Sequence, residues 1–117
     1  FDIIHRGHIE LINYASQFGI VKVGVDSDDR VKKLKGNKRP FYNISDRVYV
    51  IKNIKGVDSV EVFSTNEELE YCIKDWNPKY IIVGDDYKNK EVIGSKYCEQ
   101  VLFFKKIKGY STTNILR

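Results

Sequence analysis

FDIIHRGHIELI, residues 1–12, sets His5 and His8 three positions apart across Arg6 and Gly7 and runs directly into an amphipathic pattern. Ile9, Leu11, Ile12 and Ala15 recur as one face of a helix, and Gly19 supplies a C-terminal stop. A helix that begins near Gly7 or His8 puts both imidazoles around its first turn. There the backbone N–H groups and the positive end of the helix dipole favour an anion. Two imidazole donors suit a phosphate, and Gly7 lets a phosphate approach the backbone. The same H-x-x-H spacing fits a zinc pair, although no Cys/His cluster supplies a third ligand. It also fits a capping histidine beside a surface histidine, with no ligand at all. Taken alone, the stretch leaves these three readings open.

Working outward, short β-rich runs alternate with helical ones. IVKVGV (20–25) reads as a strand, DDRVKKL (28–34) as a brief helix and KGNKRPFYN (35–43) as a basic loop. ISDRVYVIKNIKG (44–56) reads as a helix that starts near Asn43 or Ser45 and stops at Gly56. VDSVEVF (57–63) is a strand, and STNEELEYCIKDW (64–76) a helix with capping-box spacing at both Ser64–Glu67 and Thr65–Glu68. KYIIVG (79–84), just after Pro78, and QVLFF (100–104) complete the strands, and STTNILR (111–117) opens a last helix. This alternation predicts an α/β, Rossmann-like fold: a parallel sheet with helices on both faces, built by right-handed crossovers. FDIIHRGH itself reads as a strand end and the turn after it. The first strand is therefore expected before Phe1, and residues 1–117 as one N-terminally incomplete domain. In such sheets ligands bind beyond the carboxyl ends of the strands. That rule gathers Asp26, Ser27 and Asp28, then Asp85, Asp86 and Tyr87, then Ser111, Thr112 and Thr113 on one rim.

Composition narrows the field. With 117 residues, 42% of them hydrophobic, the chain can bury one core. No apolar run is long enough to span a bilayer, and no membrane partner is expected. Cys72 and Cys98 form no C-x-x-C pair and fit a reducing, cytoplasmic setting. The charge of +4, from 20 basic and 16 acidic side chains, forms no continuous basic stripe interleaved with aromatics, so no nucleic-acid partner is expected. A phosphate-bearing small ligand needs only a local cluster of positive charge, and one is present.

Five stretches in order resemble the HxGH-motif nucleotidyltransferase superfamily, the cytidylyltransferase-like group: FDIIHRGH, DSDDRVKKLKGNKRP, GDDY, EVIGS and GYSTTNILR. The resemblance covers nearly the whole chain. It implies transfer of a nucleoside monophosphate from a nucleoside triphosphate to a phosphorylated acceptor, with release of pyrophosphate. The acceptor oxygen is already anionic, so catalysis reduces to positioning and charge neutralisation. The resemblance implies that His5 and His8 hold the α-phosphate oxygens. Ser111, Thr112 and Thr113 meet the β- and γ-phosphates, and Phe1, Asp2, Gly7, Gly84, Asp85 and Tyr87 line the nucleotide. Lys35 is assigned with the catalytic group, and Lys32, Arg39, Arg47 and Asp28 with the phosphate and acceptor. Mg²⁺ is the expected cofactor, with Asp2 as its carboxylate, and a homodimer the expected assembly.

The nucleotide and the acceptor are read from mixed signals. LKGNKRP and EVIGS resemble the ADP-heptose synthase branch, which acts on heptose 1-phosphate with ATP. GDDY resembles the G-D-D-W of glycerol-3-phosphate cytidylyltransferases, and Lys106 stands where those carry an arginine before S-T-T. The favoured expectation is adenylyl transfer to a sugar 1-phosphate. The alternatives are CTP with glycerol 3-phosphate, or a non-catalytic nucleotide-binding module or domain of a bifunctional protein.

Overall fold

A computed structural model describes Phe1, residues 4–84 and residues 90–105. In chain order the elements are α1 (Arg6–Ser16), β1 (Lys22–Asp26), α2 (Asp28–Lys35), α3 (Ile44–Lys52), β2 (Ser59–Phe63), α4 (Asn66–Trp76), β3 (Tyr80–Gly84) and β4 (Gln100–Phe104), with one 3₁₀ turn over Ser95–Tyr97. Among the described residues the strands form two parallel pairs, β1 with β2 and β3 with β4. Val23 stands opposite Val60, and Ile82 opposite Leu102. The α/β class and parallel pairing follow the sequence pattern.

The β1–β2 pair is covered on both faces, as alternating side chains require. On one face Val21, Val23 and Val25 pack with the fully buried Ile51 of α3, and Ile4, Ala15, Ile44 and Val60 close around them. On the other face Gly24 leaves room for the Phe63 ring: a Cβ there would sit 3.2 Å from Phe63 Cε1 and 3.9 Å from Leu69 of α4. Lys22 on this same face pairs with Glu61 at 3.3 Å and lies 4.4 Å from the Trp76 ring centroid. The β3–β4 pair meets α1 and the link after it through aromatic rings, Tyr14 of the helix with Phe104 and Phe18 of the link with Tyr80, at 5.2 and 5.1 Å.

Two helices end earlier than their glycines suggested. α1 stops at Ser16 and α3 at Lys52, while Gly19 (φ +135°) and Gly56 (φ +99°) lie in the links that follow. Both glycines adopt the left-handed region, but they turn the chain toward a strand rather than cap the helix. At the start of α4, Thr65 is the cap: its side chain accepts the Glu68 N–H at 3.1 Å. The Glu68 carboxylate reaches the Ser64 N–H at 2.6 Å, so the box spans one residue more than either predicted pair.

Candidate active site

His5 is the N-cap of α1, in an extended conformation (φ −139°, ψ 177°), and its Nδ1 accepts the Gly7 N–H at 3.0 Å. His8, three residues on, returns the contact: its Nδ1 accepts the His5 N–H at 3.3 Å. The two histidines thus form a reciprocal capping box, a role more often filled by Ser or Thr with Glu. Their rings stack with centroids 3.9 Å apart and 22° between planes, and Phe1 stands edge-on to His8 at 4.8 Å. An Nδ1 that accepts a hydrogen bond carries no proton, so in each neutral ring the N–H is at Nε2. The N–H groups of His8 and Ile9 donate to His5 O at 3.0 and 3.3 Å. The amides of Gly7, His8 and Ile9 are therefore engaged within the helix start. What the site offers an anion is the pair of imidazoles and the dipole, rather than those amides expected from the sequence.

The second part of the site is the carboxyl end of β1. Ser27 caps α2, accepting the Arg30 N–H at 3.2 Å, and a hydroxyl contact of 2.9 Å joins it to Ser64 beyond β2. Arg30, which the sequence reading passed over, donates to Asp26 at 2.8 Å and to Asn66 at 2.8 Å and lies over the Phe63 ring. The i,i+4 spacing of Asp26 and Arg30 was the available signal. Arg47 is buried to 3% exposure. Its Nη2 donates to Asp28 at 2.6 Å, its Nη1 to the Asp26 carbonyl at 2.7 Å and its Nε to the Tyr42 carbonyl at 3.0 Å. Asp28 also accepts the Ile44 N–H at 3.2 Å. Lys32 and Lys35 are exposed on α2, and Arg39 is half-buried in the loop behind it.

The helix directions put both parts on one rim. Arg47, near the start of α3, touches the carboxyl end of β1, whereas beyond the other end of α3 Gly56 faces Ser16, the last residue of α1. The Ser16 end of α1 consequently lies at the amino ends of the strands, and its His5 end at their carboxyl ends. Phe18 against Tyr80, the first residue of β3, agrees. Gly84 ends β3.

The model of the cytidylyltransferase-like family matches residues 1–117. The chain belongs to that family. It is a nucleotidyltransferase domain. It is 39% identical over 117 residues to the bifunctional protein HldE of Helicobacter hepaticus, covering 99% of this chain and 24% of that protein. It is 38% identical to the bifunctional protein HldE of a Helicobacter pylori strain, over 99% of this chain and 25% of the relative. The protein of the same name from Aliarcobacter butzleri is 38% identical over 119 residues, covering all of this chain and 25% of that protein. The chain thus spans about a quarter of the curated relatives it matches.

Several residues that the family resemblance assigns to this cytidylyltransferase-like domain lie outside the described residues: Asp2, Asp85, Tyr87, Ser111, Thr112 and Thr113. Among the described residues, no group of three or more His, Cys, Asp or Glu side chains is placed to hold a metal. No helix among the described residues is long and apolar enough to cross a membrane. Cys72 and Cys98 are half-buried free thiols, and burial, helped by the Glu61 carboxylate, pushes the Cys72 thiol up from its ordinary value.

Proposed function

We propose that the domain transfers an adenylyl group from ATP to a phosphorylated sugar, a sugar 1-phosphate such as heptose 1-phosphate, and releases pyrophosphate. An oxygen of the acceptor phosphate attacks the α-phosphorus, the bond from that phosphorus to the bridging α–β oxygen breaks, and pyrophosphate leaves with the electron pair. No protein nucleophile is needed. Negative charge shifts between phosphates during the transfer, and donors already aimed at those oxygens lower the barrier without reorganising. The observation that carries this reading is the double-histidine capping box. With each Nδ1 tied to a backbone N–H, both rings are held as Nε2–H donors, stacked at the positive end of α1. Gly7 between them adds no side chain to obstruct a phosphate.

The other roles belong to the same proposal. Lys32, Lys35 and Arg39 meet the charge of the acceptor phosphate; Ser111, Thr112 and Thr113 hold the β- and γ-phosphates; Phe1, Gly84, Asp85 and Tyr87 enclose the nucleoside. Mg²⁺, with Asp2 as its carboxylate, supplies charge neutralisation on the triphosphate. The heptose assignment is supported by LKGNKRP and EVIGS and by the resemblance to the HldE proteins. Pairing of two copies is part of the proposal and is read by the mass in solution.

The test is pyrophosphate release by the full-length protein with Mg²⁺, in a grid of ATP or CTP against heptose 1-phosphate or glycerol 3-phosphate. Release confined to ATP with the sugar phosphate is the expected result. Release confined to CTP with glycerol 3-phosphate replaces the adenylyl assignment with the cytidylyl one. No release in any cell overturns catalysis on these substrates.

A further inference from the structure

Between Asp28 and Ile44 the chain makes an excursion from the end of β1, out along α2 and back through the loop to the start of α3. It carries six cationic side chains, Arg30, Lys32, Lys33, Lys35, Lys38 and Arg39, against the two carboxylates Asp28 and Asp29. Its four lysines are exposed. Its base is drawn shut. The Asp28 carboxylate bridges the two ends, accepting the Ile44 N–H with one oxygen and the Arg47 guanidinium with the other. Arg47 then ties this pair to the strand through the Asp26 carbonyl and to the returning loop through the Tyr42 carbonyl. Three protein acceptors in three directions hold a side chain that is only 2% exposed. That is the geometry of a fastener, because a guanidinium turned toward solvent phosphate could not keep all three.

We infer that Arg47 is a positioning residue: paired with Asp28, it closes the neck of the lysine-bearing excursion and thereby sets where those lysines meet the anionic phosphate of the acceptor. The inference rests on the transfer reaction proposed above. An excursion of this length fixed at both feet samples far fewer arrangements than one held at a single foot. Cations presented in place bind a phosphate without first being ordered.

The test uses the full-length protein with Asp28→Asn, Arg47→Lys and the double variant, each shown to be folded by circular dichroism. The amide introduced by Asp28→Asn keeps a carbonyl for the Ile44 N–H, so this mildest variant retains one tie of the neck. Kinetics with both substrates are measured beside trypsin cleavage after Lys35 and Lys38. Each single variant is expected to raise the acceptor KM about tenfold while the nucleotide KM stays within about twofold. Loop cleavage accelerates in both, and the double variant is no worse than the poorer single one. If Arg47 instead touches the phosphate itself, removing its carboxylate partner strengthens the contact. An Asp28→Asn protein with unchanged or lower acceptor KM therefore overturns the inference, as does an equal rise in both KM values. Unaltered cleavage overturns it whether or not turnover is found. Absence of turnover in the unsubstituted protein counts against the transfer reaction instead, and the cleavage rates still decide whether the neck holds the loop.

Discussion

His8 Nδ1 accepts the backbone N–H of His5 at 3.3 Å while the two rings stack 3.9 Å apart. The contact joins a helix cap to a pair of aligned donors, so the two roles can be separated by choice of substitution. Asparagine places a polar atom near Nδ1 and nothing near Nε2. His8→Asn is expected to keep the melting temperature within a few degrees and to lower turnover about a hundredfold or more. His8→Ala is expected to lose the same turnover and, in addition, about 1 kcal/mol of stability with the cap. Thermal melts and pyrophosphate release on the two variants provide the check, and a fully active His8→Asn protein removes the ring from the chemistry.

Ile51 has no exposed surface and lies against Val21, Val23 and Val25. Ile51→Ala is expected to cost about 2–5 kcal/mol, from lost burial and the cavity left behind. Ile20, at the other extreme, is 72% exposed, and Ile20→Ala is expected to change stability by no more than about 0.5 kcal/mol. Urea unfolding of the two variants side by side checks the assignment of the core.

Gly94 takes φ +82°, and a Cβ there would fall 2.5 Å from Ile73 Cδ1 of α4. Gly94→Ala therefore meets both backbone strain and a packed neighbour, and is expected to cost about 2 kcal/mol. Trimming the neighbour relieves only the second part. Gly94→Ala with Ile73→Val is expected to recover some of the loss relative to the sum of the single variants, as a double-mutant cycle on denaturation midpoints will read.

Burial is the largest influence on Cys72, ahead of the Glu61 charge, and both favour the neutral thiol. Only the thiolate attacks an alkylating reagent. With its pKa raised in the folded protein, Cys72 is expected to react more slowly than in the unfolded chain near neutral pH. The half-point of its pH–rate curve should move upward on folding. Iodoacetamide labelling followed by peptide mass spectrometry across a pH series measures this, and coincident half-points contradict the shift.

Local pattern alone carried much of this fold. Val23 and Val25 alternate with Gly24, Ser27 and Asn43 precede helices they cap, and the runs at residues 80–84 and 100–104 are short and β-rich, so each element is written in adjacent residues. HRGH before an amphipathic run also marked the helix start, and the five ordered stretches marked the family. Helix ends were less legible. α1 and α3 stop at Ser16 and Lys52, and Gly56, in the link after α3, comes against Ser16, a contact 40 residues apart in the chain.

The identity of each residue's partner was decided only in three dimensions. Nothing in the sequence says that Asp28 accepts from Arg47 nineteen residues later, or that Arg47 is enclosed rather than offered to a phosphate. A charged side chain's role depends on its acceptors and its access to water, and both are products of packing. The histidine pair divides the same way. Its place at the first turn of α1 follows from residues 5–15, because helical periodicity is local. That both Nδ1 atoms turn back to the chain, leaving Nε2 as the N–H nitrogen, follows from the reciprocal cap and the ring stack, which exist only once the helix and Phe1 have closed around them.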